Sequence, residues 1–544
     1  MSQWLREHEF AVLLLTWLAL CGGALSLAAT ADGPGMLYDE AWLAQQGRQV
    51  VDPLREGLMP PGTQKTWLFG RPFPLFALPY LGSLKSQLLV PAIAMFGNEL
   101  AAVRGATLGV AMLALLATLA VARRIFGLRV ALLTGALLAS DPTVFFHAQW
   151  EWGPFTTGWL CRATGALLLL RGYSEMQRAA TLTGAFALGL GVYNRADFVL
   201  IGLACLLGLA IFHAPALRAL WRTRRGELIG ACAVFLLGAL PMLLNARRVF
   251  GTMGDLTTRG DLTERIQVLI STLDGSYAYR LMAAGGRYEI LDQISAPTAL
   301  LALACAVAVV ACLVEAVRRG PASLRDGRGV LAVACVGIAA AMLALPGATR
   351  AHHMLNLTPF VQLLVGAQLV RGIDAGGTRR AVAALASAAL ILTGATVIET
   401  TRSLIRETGG RGWWSDQIAG VGEELDQEPG AVAVSLDWGF HLQLLFSTDN
   451  LIVLEPFWQI GSALASQGVW SHRGDERHVY LVHDEPYDRF GFGPRFLATA
   501  RQLGDRALIR AHQDREGEPA FFTVRVNQPH TLFVDRSGYS FGFD

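Results

Sequence analysis

An α-helical polytopic membrane protein with a C-terminal α/β domain outside the bilayer is the fold class this sequence predicts, on three observations. First, 53% of its 544 residues are hydrophobic and only 16% are charged, with mean hydropathy +0.40; soluble domains carry about 25% charged residues. Second, apolar stretches near the ~20 residues that a membrane span requires recur along the first 400 positions. Third, charge divides unevenly. Residues 401–544 hold 13 Arg against 20 Asp and Glu, a net of −7, while the first 400 residues carry +9. The expected domains are therefore a transmembrane part, 1–400, and an outer part, 401–544.

Eleven candidate spans centre near residues 20, 103, 138, 163, 186, 206, 237, 307, 338, 364 and 390. The first lacks a strongly basic start and more spans follow it, so it reads as a retained span, not a signal peptide. The fifth is interrupted by Tyr193-Asn194-Arg195-Ala196-Asp197. Arg-rich loops follow the second, fourth, sixth, eighth and tenth spans: Arg123/Arg124/Arg129, Arg171/Arg178, Arg218/Arg222/Arg224/Arg225, Arg318/Arg319/Arg325/Arg328 and Arg371/Arg379/Arg380. Short basic loops stay cytoplasmic. The N-terminus is then cytoplasmic, and segments 31–90, 141–153, 193–197, 246–297, 346–356 and the tail from about 401 face outward.

In the tail, the runs Val432–Leu436, Leu451–Leu454, Val479–Val482 and Phe521–Val526 are β-rich. Helical patterns near 440–447, 458–468 and 493–503 separate some of them, predicting a small sheet with flanking helices. The seven cysteines all fall in apolar stretches and none lies in the tail. Without CxxC, a Cys/His cluster or HExxH, neither a disulfide framework nor a zinc site is expected. Walker A, Rossmann and Ser-His-Asp signatures are also missing, and no nucleic-acid partner is expected.

The candidate chemistry lies in the outward segments. Asp39 and Glu40 follow the first span; a carboxylate there can serve as general base toward an acceptor hydroxyl, or the pair can be solvated and start a helix. Lys65 and Lys85 are the only lysines among 45 basic residues. Lys85, just before the second span, is a compact charge suited to a phosphate, or an interfacial snorkelling residue; Arg71 is a weaker candidate. The turn Asp141-Pro142-Thr143 and the run His147-Ala148-Gln149-Trp150-Glu151-Trp152 place two acids, a His and two Trp together. The Trp residues suit an interface belt, Asp141 suits a helix start, and Glu151 is an expensive charge to leave idle at a span's edge. Arg195 can bind phosphate or pair with Asp197. Arg350, His352 and His353 open the tenth span. Adjacent His residues on a helix are expected to point apart, so a shared metal is not expected, and the cluster reads either as a set of donors to an anionic headgroup or as an interfacial anchor. Asp437-Trp438-Gly439-Phe440-His441 reads as a structural strand-to-helix turn.

Asp39-Glu40-Ala41 directly after a first span, a second acid beside the fourth span, eleven spans and a terminal outer domain together resemble the GT-C glycosyltransferases. The likeness is to bacterial relatives of protein O-mannosyltransferases and of lipid A aminoarabinose transferases (glycosyltransferase family 39-like). It covers 1–400 well and the tail much less. The resemblance implies a membrane-bound glycosyltransferase of the bacterial inner membrane. Its donor would be a polyprenyl-phosphate sugar, its acceptor a lipid, glycan or protein, and transfer would invert the anomeric centre. Membrane lipids would surround it. Asp39 matches the catalytic base and Glu151, where many relatives have Asp, matches the second acid by position. Lys85, His352 and His353, and more loosely Arg195, match contacts to the lipid phosphate. Whether a divalent metal takes part stays open. The competing class is a transporter or lipid flippase using outer-face carboxylates. That class would show polar residues deep in spans and internal repeats, whereas here the charges gather at outer ends.

Overall fold

The computed structural model describes residues 8–29, 33–53, 63–255, 261–345 and 350–543. Parts of four expected outward segments, including 54–62 of the first, lie outside the described residues. The chain opens with α1 (Glu9–Ala29) and α2 (Tyr38–Val51), then a three-stranded antiparallel sheet of β1 (Gln64–Leu68), β2 (Arg71–Leu78) and β3 (Leu81–Gly82). Helices α3 (Leu84–Phe96), α4 (Leu100–Phe126), α5 (Leu128–Ala139), α6 (Pro142–His147), α7 (Phe155–Ser174), α8 (Arg178–Asn194) and α9 (Phe198–Leu244) follow. Next come α10 (Ala246–Asp255), α11 (Leu262–Leu273), α12 (Ser276–Ala283), α13 (Leu301–Arg319), α14 (Arg328–Ala344), α15 (Ala351–Met354), α16 (Phe360–Asp374) and α17 (Gly377–Thr408).

A helix covers each of the eleven expected centres, but the expectation of about eleven spans is corrected. Among the described residues four helices are long and apolar enough to cross a membrane: α4, α9, α13 and α17. The count rises to five if Ala351–Leu357 and Phe360–Asp374, bent by 43°, form one broken span. The rest fall short for physical reasons. Helices α3, α5 and α14 are apolar but only 10–17 residues long, and α7 and α8 are diluted by Thr, Gly and Arg. Two expected spans merge into α9. At 47 residues a straight helix would be about 70 Å long, over twice the ~30 Å hydrocarbon layer. Instead it breaks at His213 (φ −124°) and Arg224 (φ −131°), and the cluster Arg218–Arg225 occupies the break. Its first half packs near Val330 and its second near Phe186. Exposed large side chains such as Leu203, Leu207, Leu237, Val307 and Leu392 cover these helices, the surface expected of a chain solvated by lipid.

The tail is the expected soluble C-terminal domain. It contains α18 (Gln417–Asp426), β4 (Val432–Ser435), α19 (His441–Ser447), β5 (Ile452–Leu454), α20 (Phe457–Ala465), β6 (Trp470–Gly474) and β7 (His478–Val482). Then come α21 (Gly493–Gln502), β8 (Ala507–Gln513), β9 (Pro519–Val526), β10 (His530–Asp535) and β11 (Gly538–Phe543). A mixed sheet runs in the order β5-β4-β7-β9-β8, with β4 parallel to both neighbours and β9 antiparallel to both of its own; a second, antiparallel sheet runs β11-β10-β6. The four β-rich runs and three helices expected from the sequence are present. Strands β6, β8, β10 and β11 were not expected; β6 and β8 largely alternate half-covered and exposed positions and carry Arg473 and Arg510 outward. One continuous core runs from the helices through Tyr38 into Trp413, Trp438 and Phe440 of the tail.

Candidate functional site

The site is built around the start of α2. Leu37 is extended (ψ 147°) and precedes the first helical turn, where Asp39 and Glu40 lie; acids there complement the exposed helix N–H groups. The two carboxylates then part company. Glu40 is buried, accepts the Leu37 backbone N–H at 3.4 Å, and is gripped by Arg104 at 3.1 and 3.2 Å. Asp39 turns the other way, into an open cleft of about 530 Å³ lined by Asp39, Trp42, Leu78, Tyr80, Arg195, His352 and His353, among others. Its Oδ2 accepts the indole N–H of Trp152 at 2.5 Å. Burial pushes the Asp39 carboxyl above its ordinary range, while the Trp152 bond and the Arg489 charge pull it back.

The facing wall is cationic. Arg195 leaves α8 in extended backbone (φ −160°) and bridges to Leu81 of β3, and the Ala196 N–H donates to Tyr80 O at 3.0 Å. Its guanidinium donates to His352 O at 3.0 Å, pairs with Asp197 at 2.9 Å and contacts His353 Nδ1. Asn356 holds Asp197 at 3.0 Å. The two His rings do not point apart as expected: α15 is one short turn, and their centroids lie 4.1 Å from each other. His352 also packs 4.7 Å from Trp152, so one indole links the acid wall to the cationic wall.

The structure gathers Asp39, Arg195, His352 and His353, and places the other candidates elsewhere. Lys85 is 3% exposed, and its ammonium contacts Glu151 and donates to Thr107 at 2.6 Å. Glu151, 2% exposed, also accepts the Thr156 hydroxyl at 2.7 Å and its backbone N–H. The two residues expected to serve phosphate and acceptor thus satisfy each other behind the cleft. Asp141 caps α6 through the Thr143 and Val144 N–H groups and accepts from Gln362 at 2.7 Å; burial pushes its carboxyl up to about 6. His147 is buried against Thr143 O and held near 4 by burial. Arg350 lies 3.9 Å from Glu264, off the cleft. Asp437 is fully buried, pairs with His483 at 2.8 Å and holds the Trp438 N–H, as a structural turn does.

Sequence reasoning missed Arg104, Tyr80, the role of Trp152, and the tail's contribution. Arg104 carried a legible signal: a cation inside an apolar helix needs a partner. The tail residues carried none. The Tyr38 hydroxyl donates to Glu455 at 2.6 Å, the Tyr38 ring stacks on Trp438 at 4.7 Å, and Arg489 lies over Trp438 (4.9 Å) and Trp413 (5.5 Å). Among the described residues no three His, Cys, Asp or Glu side chains converge as a metal-binding set. Among the described residues Asp39 is the only acid lining the cleft, and Glu151, the other acid expected beside it, is held by Lys85. These residues do not fit a resident divalent ion.

This fold is shared with solved structures of two other proteins. The chain is similar to ArnT from Cupriavidus metallidurans bound to undecaprenyl phosphate, at 15% identity and TM-score 0.52 over 95% of this chain and 96% of that one. The apo state of the same protein gives 14% and 0.51. An archaeal oligosaccharyltransferase, AglB from Archaeoglobus fulgidus, in complex with an inhibitory peptide and a dolichol-phosphate, gives 13% and 0.50, covering 93% of this chain and 70% of that one. No family model matches the sequence, and no curated protein matches it.

Proposed function

We propose that this protein transfers a sugar from a polyprenyl-phosphate donor to a lipid, glycan or protein acceptor at the outer face of a bacterial inner membrane, with inversion. One observation carries the reading: a carboxylate, Asp39, and a cluster of cationic and imidazole groups, Arg195, His352 and His353, line the same open cleft. Two solved structures of this fold, the undecaprenyl phosphate and dolichol-phosphate complexes, hold a lipid phosphate.

Asp39 takes the proton of the acceptor hydroxyl as its oxygen attacks the anomeric carbon. The bond from that carbon to the phosphate oxygen breaks on the opposite face, and polyprenyl phosphate leaves. Negative charge grows on the departing phosphate, and the Arg195 guanidinium faces it in a partly dry cleft, where fixed charges act strongly. His352 and His353 add ring donors to the same wall. Glu40 and Arg104 hold the start of α2, and Lys85 with Glu151 ties the start of α3 to the start of α7. Arg-rich loops on the opposite side set the orientation, with the N-terminus inside.

The test is turnover by purified, reconstituted protein with a panel of polyprenyl-phosphate sugars, read by mass spectrometry of acceptors. Asp39→Asn is expected to lower transfer by about 10²–10⁴-fold, the usual contribution of a positioned base. Near wild-type transfer by this variant removes Asp39 as base. Movement of lipid across vesicles without a glycosylated product replaces the reading with a flippase.

A further inference from the structure

The hairpin β1–β2 carries a feature that the cleft does not use. Its tip, Trp67-Leu68-Phe69, is among the most exposed apolar surface of the chain, with Trp67 57%, Leu68 43% and Phe69 94% exposed. Leu68 pairs with Arg71, so the turn is only Phe69-Gly70, with φ of 51° and 75°. Two-residue turns of this hand favour Asn-Gly or Gly-Gly, because side chains resist positive φ. A phenylalanine here is strained backbone bearing a side chain 94% exposed, and among the described residues a Cβ added at Gly70 would meet no atom within 4 Å. Such an outlier is an argument for an external role of that side chain.

Chemistry identifies the occupant. Behind the apolar tip stand two cations on the same hairpin. Lys65 lies with its ammonium 5.6 Å from the Trp67 ring centroid, and exposed Arg71 donates from Nη1 to Val50 O and Val51 O at 2.9 and 2.8 Å. Apolar and aromatic side chains in front of Lys and Arg match a leaflet, with rings at the acyl boundary and charges at the lipid phosphates. The chain already crosses a membrane, and its hairpin follows α2. We propose that Trp67, Leu68 and Phe69 insert into the leaflet on the cleft side, with Lys65 and Arg71 at the headgroups. The anchor has two mechanical links to the site. Arg71 grips the C-terminal end of α2, whose first turn carries Asp39, and β2 continues to Ala77 and Leu78 in the cleft wall.

This inference requires only a membrane-spanning chain and stands apart from the sugar-transfer reading. The test uses full-length protein with Cys232→Ala, which removes the exposed thiol, and Phe69→Cys carrying an environment-sensitive fluorophore. The protein is reconstituted in phosphatidylcholine–phosphatidylglycerol vesicles. Emission is expected to shift to shorter wavelength and to be quenched by lipids spin-labelled high on the acyl chain. The same label at Glu476→Cys, exposed in the tail, stays unquenched. Phe69 is almost fully exposed, so its replacement does not threaten folding. A Phe69→Cys label as water-exposed as the tail label overturns the proposal. The readout needs no turnover, so its failure and the failure of glycosyl transfer are separable.

Discussion

Whether Lys85 serves a phosphate or a carboxylate is decided by what surrounds its ammonium group, and Glu151 and Thr107 surround it with almost no exposure. Removing one partner of such a pair leaves the other charge buried and alone, at a cost of about 3–5 kcal/mol. Lys85→Met is therefore expected to lower the thermal unfolding midpoint in detergent strongly. Lys85→Met/Glu151→Gln, which removes both charges, recovers most of the loss. A double variant that is stable yet no longer binds donor would return Lys85 to the phosphate. Asp39 calls for a different experiment. As a base it acts when ionised, so transfer falls as pH drops through its pKa. Burial raises that pKa, so the fall comes at higher pH than for an ordinary aspartate. Trp152→Phe removes the donor that favours the ionised form. Its acid limb in the pH–rate profile is expected to move further toward high pH; an unmoved or lowered limb shows that Trp152 does not act on the base.

Strand β3 is two residues long, yet it positions the cationic wall, because Leu81 bridges to Arg195. The approach is so close that a Cβ on Gly82 would lie 2.1 Å from Tyr193 O. Gly82→Ala must push β3 away from the end of α8. Overpacking of this kind costs about 1–3 kcal/mol, and the displacement falls on Arg195. Weaker donor binding with a modest drop in unfolding temperature is expected, measured by titration of polyprenyl phosphate; unchanged affinity shows that β3 does not set Arg195. This sheet was not legible in the sequence. Pro72 and Pro74 in β2 argue against a strand, and only the structure shows Trp67 and Lys65 paired opposite them. The helices were legible in position but not in length, since hydropathy marks an apolar stretch without showing where the helix stops. The break in α9 at Arg224 was readable as an Arg-rich loop, although the chain there stays nearly helical.

Asp39, Arg195 and the His pair were legible as candidate residues because each is a polar group at the outer end of an apolar run, and the structure brings these candidates to one cleft. Their assembly was not, since it depends on tertiary approach: Trp152 reaching Asp39, and a tail from beyond residue 400 closing on Tyr38. That closure rests on Arg48, which is 5% exposed and donates to the carbonyls of Leu445 (2.9 Å), Phe446 and Thr448 (2.7 Å), with Asp449 beside it. These carbonyls end α19, so one guanidinium from α2 caps a helix of the tail. Arg48→Met keeps most of the apolar stem and removes every donor. Each buried acceptor left unpaired costs roughly 1–3 kcal/mol, enough to undock the tail without unfolding its sheets. The segment Gly409-Gly410-Arg411-Gly412 joins α17 to the tail and is held by the Trp413 and Trp414 contacts, so undocking exposes it. Arg48→Met is expected to speed tryptic release of a tail fragment at Arg406 or Arg411. Asp449→Asn, at a carboxylate 69% exposed, changes a solvent-screened contact worth less than about 1 kcal/mol and leaves the rate alone. Equal rates in both variants would place the hold elsewhere, on the Tyr38 contacts with Glu455 and Trp438.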